Sequence, residues 1–556
     1  MNLSTFDAFK RLKTSDAVEL DLKDVQRLQQ TVLGIFDDVA SCCERRGFTC
    51  LAAGGTALGA LRRGGFIAWD DDIDVIMPRR DFESFAKAFA AELGGKYWLH
   101  APSVTKGYSL AMARVRLRGT SVRMREDLAD GQQECGAFVD IFIMENTFDN
   151  ALLRTLHGVG SMALGFLYSC RKLFHERRLV KRLTRANGGV PMSFRVKTAV
   201  GFLLAVIPLG FWVSLWDWWN AICRDSGSRY VTVPVGRRHF FGELAPRHEM
   251  EGVRKLRFEG RTVKCPAGLE NYMTRLYGPG YMTPPPEGER ERHVVFRPFF
   301  LDRSDAELQV VVATHKDYAM PADAVYLPVF VGAALAGGAA VPAGFRRDDE
   351  GENISARNRS WCELTALYWA WKNVKSAAVG LVHYRRHFRG RGGAASGAEI
   401  CAALETADAI LPKERNYFIE TTYSQYVHAH HAEDLDLTRR ILEERHPGFV
   451  AAFDAVMKST RGHRFNMMVM KRPLFDDYCA WLFDVLFELE RRLDISSYSD
   501  YDKRVFGFVA ERLLDVYVRA KGVRCAEMPV LHLESQHWPR KIAAFLRRKL
   551  SSGTRK

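Results

Sequence analysis

Residues 54–85 read GGTALGALRRGGFIAWDDDIDVIMPRRDFESF, and the alternation inside this stretch decides the first half of the chain. From Asp72 to Val75 polar and apolar residues alternate. That predicts a strand with Asp72 and Asp74 on one face and Ile73 and Val75 turned into a core. Two carboxylates about 6–7 Å apart, at ~3.3 Å rise per residue, suit one or two hard cations. Gly54 and Gly55, followed by Thr56, come after a short apolar strand, FTCLAA, where a turn without Cβ atoms lets backbone N–H groups approach a phosphate. A third carboxylate on a neighbouring strand would complete the site. Asp140, alone among Phe138, Val139, Ile141 and Phe142, is the candidate, because a lone acid in an apolar strand is costly unless paired or metal-bound. The set suits phosphoryl transfer to a hydroxyl, with Mg²⁺ or Mn²⁺ neutralising phosphate charge.

Helix and strand patterns alternate on both sides of this motif. Residues 18–47 and 79–95 have helical spacing, while 110–122 and 136–143 read as strands. A hairpin and helix follow at 258–278. The class is therefore α/β (α+β). The Pro-rich polar run PPPEGERER at 284–292 precedes a fresh buried-strand pattern, LQVVVATH. It predicts one domain over 1–300, with an apolar helical insert at about 150–222, a second over 301–535, and a tail over 536–556.

The first-half motifs resemble those of the LicD family, within the nucleotidyltransferase-like fold. GGTALGALRRGGFIAWDDDIDVIMPRRDFESF is similar to its signature, GAFVDIFIMEN to its later Asp strand, and FEGRTVKCPAGLENYMTRLYGPGYMTPPP followed by His293 to its C-terminal signature. The resemblance spans roughly 20–300. It implies transfer of a phospho-alcohol, such as phosphocholine or a phospho-alditol, from a CDP-activated donor to a glycan hydroxyl. It further implies that Asp72, Asp74 and Asp140 serve as metal ligands, Asp140 alternatively as base. Gly54, Gly55 and Thr56 would face the phosphates, Arg62, Arg114 and Arg116 would clamp them, and His293 would belong to the donor site. The same carboxylates would also serve a nucleotidyltransferase drawing on an NTP.

In the second half, polar residues sit at the ends of apolar runs: Thr314 and His315 after VVVA, His383, Tyr384, Arg385 and Arg386 after VGLV, and Asn466 before MMVM. Carboxyl ends of strands in an α/β sheet are where ligands bind. YLPVFVGAALAG, GLVHYRRHF and FNMMVMKRPLFDDYCAWLFDVLFELE, among others, are similar to a domain of capsular and exopolysaccharide biosynthesis proteins that looks like a GT-A-type glycosyltransferase. Its implied donor is a nucleotide sugar, with the cations at 383–386 in the place of an acidic metal motif. Asp500 and Asp502 offer an acid near the end of the domain. The rival reading makes this half a glycan-binding or scaffolding module.

The chain has 556 residues and a net charge of +14. Residues 151–200 carry ten Lys/Arg against the single acid Glu176, and residues 537–556 carry seven Lys/Arg and no acid, so the remainder is close to neutral. This distribution speaks against a nucleic-acid partner and for an anionic membrane surface bearing lipid-linked or growing glycan acceptors. The uncharged run 198–216, interrupted by Pro208, predicts a bent helical hairpin, buried or lying in the membrane interface rather than spanning it. In the tail, Trp538, Ile542, Phe545, Leu546 and Leu550 line one face of a basic amphipathic helix. The 11 scattered cysteines and the absence of an apolar leader predict reduced thiols and a cytoplasmic location on the inner membrane face. Oligomeric state is left open.

Overall fold

The amphipathic stretch near the start forms the helix Leu22–Arg46, opened by an Asp21 side chain that accepts from Asp24 N–H and closed by Gly47 in the left-handed region. It packs with the helix Arg79–Glu92 on the strand Phe138–Thr147. The computed structural model describes residues 17–534, apart from 19, 103, 185–191, 287–289, 291–293 and 338–340. His293 and the 536–556 tail thus lie outside the described residues. The chain divides into two units between Asp305 and Ala306.

The first unit is built on a mixed sheet. Its order is Leu51–Ala52, Asp74–Pro78, Phe138–Thr147, Ala113–Leu117 and Tyr97–His100. Only the Asp74 and Asp140 strands run parallel; the other pairs are antiparallel. Ile73, Val75, Val115, Val139 and Ile141 are fully buried beneath it. The hairpin Val253–Phe258 with Arg261–Pro266 and the helix Leu269–Tyr277 pack against the helix Gly54–Arg63. The strand expected from Asp72 starts two residues later. Regular strand begins at Asp74, although the buried–open alternation already runs from Asp71, and Ile73 O accepts from Asp140 N–H.

The insert consists of the helices Ala151–His175, Arg177–Thr184, Met192–Leu203 and Leu209–Asn220. Pro208 breaks the apolar run, as its ring requires. The two arms, Phe194–Val206 and Leu209–Asn220, meet at 95°, an elbow rather than the expected hairpin. Both arms pack on Ala151–His175. Gly201 permits this, since a Cβ there would lie 2.1 Å from Cys170 O. The elbow is anchored to the sheet by charge. Arg79, at the end of the Asp74 strand, donates to Glu145 on the Asp140 strand and, at 2.7 Å, to Asp217 on the second arm. Arg79 and Glu145 are both buried.

The second unit orders its strands Arg346–Arg347, Tyr326–Phe330, Leu308–Thr314, Ala378–His383, Met468–Lys471, Ala409–Pro412 and Cys525–Met528. All run parallel except Met468–Lys471. Trp361 stacks on Phe483 and Phe506 inside this unit's core. None of the eleven cysteines, all of them among the described residues, forms a disulfide.

Removing the cation from the anchor leaves two carboxylates uncompensated. Arg79→Met is expected to cost about 3–5 kcal/mol of unfolding free energy by chemical denaturation. A change below ~1 kcal/mol would show that the cluster does not hold the elbow.

Candidate active site

Across the first sheet a row of polar side chains replaces the apolar pattern. Asp74 and Asp140 are Cα partners on adjacent parallel strands, and Arg114 is the partner of Asp140 on its other side. Arg114 grips Asp140 with Nε to Oδ1 at 2.6 Å and Nη2 to Oδ2 at 3.1 Å, and its Nη1 reaches Glu126 at 2.9 Å. Burial works against the Arg114 charge, yet Asp140 and Glu126 hold its pKa well above the ordinary value. Arg114 is therefore occupied in orienting Asp140, and both Asp140 oxygens are engaged. Arg116 lies fully inside and donates to Asp127, which closes the turn at Met124. That placement does not suit a phosphate clamp. The family resemblance implied a phosphate clamp at both arginines, whereas here each is paired with buried carboxylates.

Opposite the carboxylates a helix begins at the double glycine, Gly54–Arg63. Ala53 N–H donates to Asp74 O at 3.0 Å, and Asp74 N–H donates to Thr56 Oγ1 at 2.9 Å. Gly54 has φ +47, and a Cβ there would stand 2.7 Å from Asp74 Oδ2. At Gly55 a Cβ would stand 2.4 Å from Asp70 Oδ2. The carboxylates thus fold over the positive end of a helix, where anionic groups are stabilised. Oxygens of Asp70, Asp71 and Asp72 all lie within 4.8 Å of one another. An oxygen-only donor set above a cradle without Cβ atoms fits a hard divalent cation. The structure groups Asp72 with Asp70 and Asp71, and places Asp74 beside Asp140.

The C-terminal signature braces this turn. Tyr272 OH accepts from Gly54 N–H at 3.3 Å, and Glu259 Oε1 accepts from Phe66 N–H at 3.0 Å. Phe258 meets Phe66 edge-on at 5.0 Å. Arg62 is half-buried, with Nη2 on Thr283 O, and burial lowers its pKa. Arg290 lies over the Trp69 ring at 4.6 Å. Glu243 is buried beside Tyr272, and burial pushes its carboxyl up to about 7. Asp70, Tyr272, Glu259, Glu243 and Arg290 were missed by the sequence reading. The FEG motif is a signal for Glu259; Glu243 has none, because its burial depends on tertiary packing.

In the second unit, His383 and Ala313 are Cα partners and Tyr384 N–H donates to Ala313 O, which brings Thr314, His315, His383 and Tyr384 to one sheet edge. Tyr384 meets His315 and Tyr318 edge-on at 5.2 Å, with Lys316 Nζ 5.2 Å from its ring. Arg385 reaches Glu534 at 3.4 Å. Arg386 lies over Phe465 at 4.3 Å, and burial lowers its pKa. His383 Nε2 bonds Phe465 O, and burial lowers the pKa of this ring too. Asn466 differs from its expected donor role. It is buried, with φ +49, and donates to Glu363 at 2.7 Å and Gly507 O at 2.9 Å, so it holds the 465–466 turn. Asp502 is engaged by Ser499 and His430.

Residues 47–151 match the LicD/FKTN/FKRP nucleotidyltransferase domain family. The first unit carries a LicD-type domain. Over 290 residues the chain is 25% identical to the lipopolysaccharide cholinephosphotransferase LicD of Haemophilus influenzae, covering 50% of this chain and 98% of that protein. Residues 309–522 match DUF4422, a family described as a domain of unknown function. Among solved structures, the apo WbbM bifunctional glycosyltransferase is 28% identical with a TM-score of 0.38, and the match covers 41% of this chain and 45% of that one.

Glu243 gives the LicD-type unit a pH signature. Between the ordinary carboxyl value of 4.5 and about 7, the folded protein keeps a proton that the unfolded chain has lost. The stability this group contributes is complete below about 4.5 and is lost as pH rises through about 7. Glu243→Gln should flatten that decline and exceed the parent at pH 8 by up to ~3 kcal/mol. Parallel stability–pH curves for the two proteins would contradict this placement.

Proposed function

We propose that the chain is a bifunctional transferase of bacterial surface-glycan assembly. The first unit moves a phospho-alcohol from a CDP-activated donor to a glycan hydroxyl. The observation that carries this reading is the in-register pair Asp74 and Asp140 facing a glycine helix start that two aspartates overhang. The near-complete coverage of a cholinephosphotransferase supports it. In the transfer, the acceptor oxygen attacks the phosphorus that bears the alcohol. The bond from that phosphorus to the bridging oxygen breaks, CMP leaves, and the hydroxyl proton passes to a carboxylate of the row. Asp72 and Asp74, with Asp70 and Asp71 clustered against Asp72, would hold Mg²⁺ or Mn²⁺, which neutralises phosphate charge when bound. Gly54, Gly55 and Thr56 position the diphosphate at the helix start, and Arg114 keeps Asp140 aimed. Arg62 and Arg290 flank the approach.

The second unit adds a sugar from a nucleotide-sugar donor. Its support is the resemblance of the sequence motifs and the clustering of Thr314, His315, His383, Tyr384 and Arg386 at the carboxyl ends of parallel strands. Two activities on one chain raise the effective concentration of one product at the next site.

We place the protein on an anionic membrane surface. The insert exposes Leu152, Leu156, Val159, Phe202, Leu203, Val206, Phe211 and Trp218, with Val206 92% exposed at the elbow. Among the described residues no single helix is long and apolar enough to cross a membrane, but the bent pair has the length and composition to enter one. An exposed apolar elbow beside clustered basic residues is the chemistry of an interfacial segment.

Asp72→Asn combined with Asp74→Asn should abolish CMP release from CDP-choline or a CDP-alditol while sugar transfer continues; retained CMP release would remove the metal assignment. Co-sedimentation with phosphatidylglycerol vesicles should be salt-sensitive. It should fall at least tenfold when Phe202, Leu203 and Val206 are all changed to Ser. Equal partitioning of the triple variant would return the elbow to ordinary surface.

A further inference from the structure

The second unit contains a cluster that the transferase reading does not use. Glu414 lies two residues beyond the strand Ala409–Pro412, and Glu527 sits on the parallel neighbour Cys525–Met528, where it follows the partner of Ile410. A short ladder pairing Arg415 with Gly462 and Asn416 with Arg461 carries the chain at His463 next to Glu414. One donor atom each from Glu414, His463 and Glu527 lies within 4.8 Å of the others.

His463 is set up as a ligand. Its side chain is 10% exposed. Both oxygens of Asp515 are spent on it: Oδ1 bonds Nδ1, and Oδ2 accepts from His463 N–H at 2.9 Å. A carboxylate only accepts, so Nδ1 carries a proton, and Nε2 is the ring atom left to take a metal ion, which would displace any proton there. That buried Nε2 has no hydrogen bond, and it faces Glu527 Oε1 at 3.4 Å. Gly462 leaves room for the arrangement, since a Cβ there would stand 2.9 Å from Asp515 Oδ2. Among the described residues, neither Glu414 nor Glu527 pairs with a lysine or arginine. A carboxylate behind a histidine that faces two further carboxylates is the outer-shell pattern of a metal site.

We propose that Glu414, His463 Nε2 and Glu527 bind a divalent transition-metal ion, Zn²⁺ or Mn²⁺, with Asp515 as the group that orients the histidine. One nitrogen and two carboxylate donors favour these ions over Ca²⁺ or Mg²⁺, which take oxygen ligands. The two glutamates are exposed and free to close by the ~1 Å that bonds of about 2.0–2.2 Å require. Three protein ligands leave positions for an incoming group. The site lies at the same carboxyl-end edge as His383, whose Nε2 bonds Phe465 O two residues from His463. Resting on the glycosyl-transfer reading, the open positions would take the diphosphate of the nucleotide sugar.

The test is metal binding by the full chain, which needs no donor. After equilibrium dialysis against Zn²⁺ or Mn²⁺, wild type should hold one more equivalent than His463→Ala and than the Glu414→Gln, Glu527→Gln double variant. The glutamate variants change exposed side chains, so they test the site even where the histidine variant misfolds. Asp515→Asn should weaken binding about 10–100-fold. Co²⁺ loaded into wild type should give a ligand-field spectrum that both variants lose. Equal stoichiometry and affinity in all proteins would overturn the site. Metal held at this site without any nucleotide-sugar turnover would leave it standing and count against the glycosyl-transfer reading instead.

Discussion

The contact between Arg114 and Asp140 is the constraint on which the first unit's acidic row depends. Parallel strands about 4.8 Å apart place Asp74 and Asp140 side by side, and two like charges at that spacing repel inside a protein. Arg114 supplies the compensating charge from the next strand, in register, with a two-point grip that fixes the plane of the Asp140 carboxylate. Asp74 is thereby left as the member of the row turned toward the glycine helix start. The apolar residues beneath, Ile73, Val75 and Ile141, make any slip of register costly, because one residue of shift would bury the acids and expose the core.

Much of this was legible in the residues themselves. The Asp72–Val75 alternation and the lone Asp140 located the two strands that carry the acidic row, and Gly54 and Gly55 located the turn, because each is a local departure with one economical explanation. The roles of Arg114 and Arg116 were not legible. A strand buried on both faces turns its charged residues into internal pairs, and sequence alternation does not say whether the second face is covered. Glu243 and Tyr272 belong to the same class, since they meet the glycine turn only through packing of a segment about 190–220 residues further along the chain. Asp70 escaped notice for a different reason. It precedes the regular strand, and only the absent Cβ of Gly55 reveals how close it lies.

The second unit was legible at the level of strand ends and less so at the level of side chains. His383 and Tyr384 arrive where apolar runs stop, as expected of an α/β sheet. Asn466 was read as a ligand contact because it stands before an apolar run. Its left-handed backbone and its bonds to Glu363 and Gly507 show a residue that shapes the turn bearing Phe465. Positive φ outside glycine is a tertiary property that local pattern does not announce.

Arg79, Glu145 and Asp217 have a mechanical consequence. The strand bearing Asp74 ends at Pro78, immediately before Arg79, and the strand bearing Asp140 runs through Glu145 to Thr147, so both strands of the acidic row lead into the ion cluster that grips the elbow's second arm. An elbow seated in a lipid interface would therefore fix the altitude and tilt of the carboxylate row above the bilayer, as a tripod fixes a lens. Acceptors tethered to that bilayer would be sorted by reach. The distance between their lipid anchor and their free hydroxyl, and not the sugar alone, would decide which ones arrive in focus.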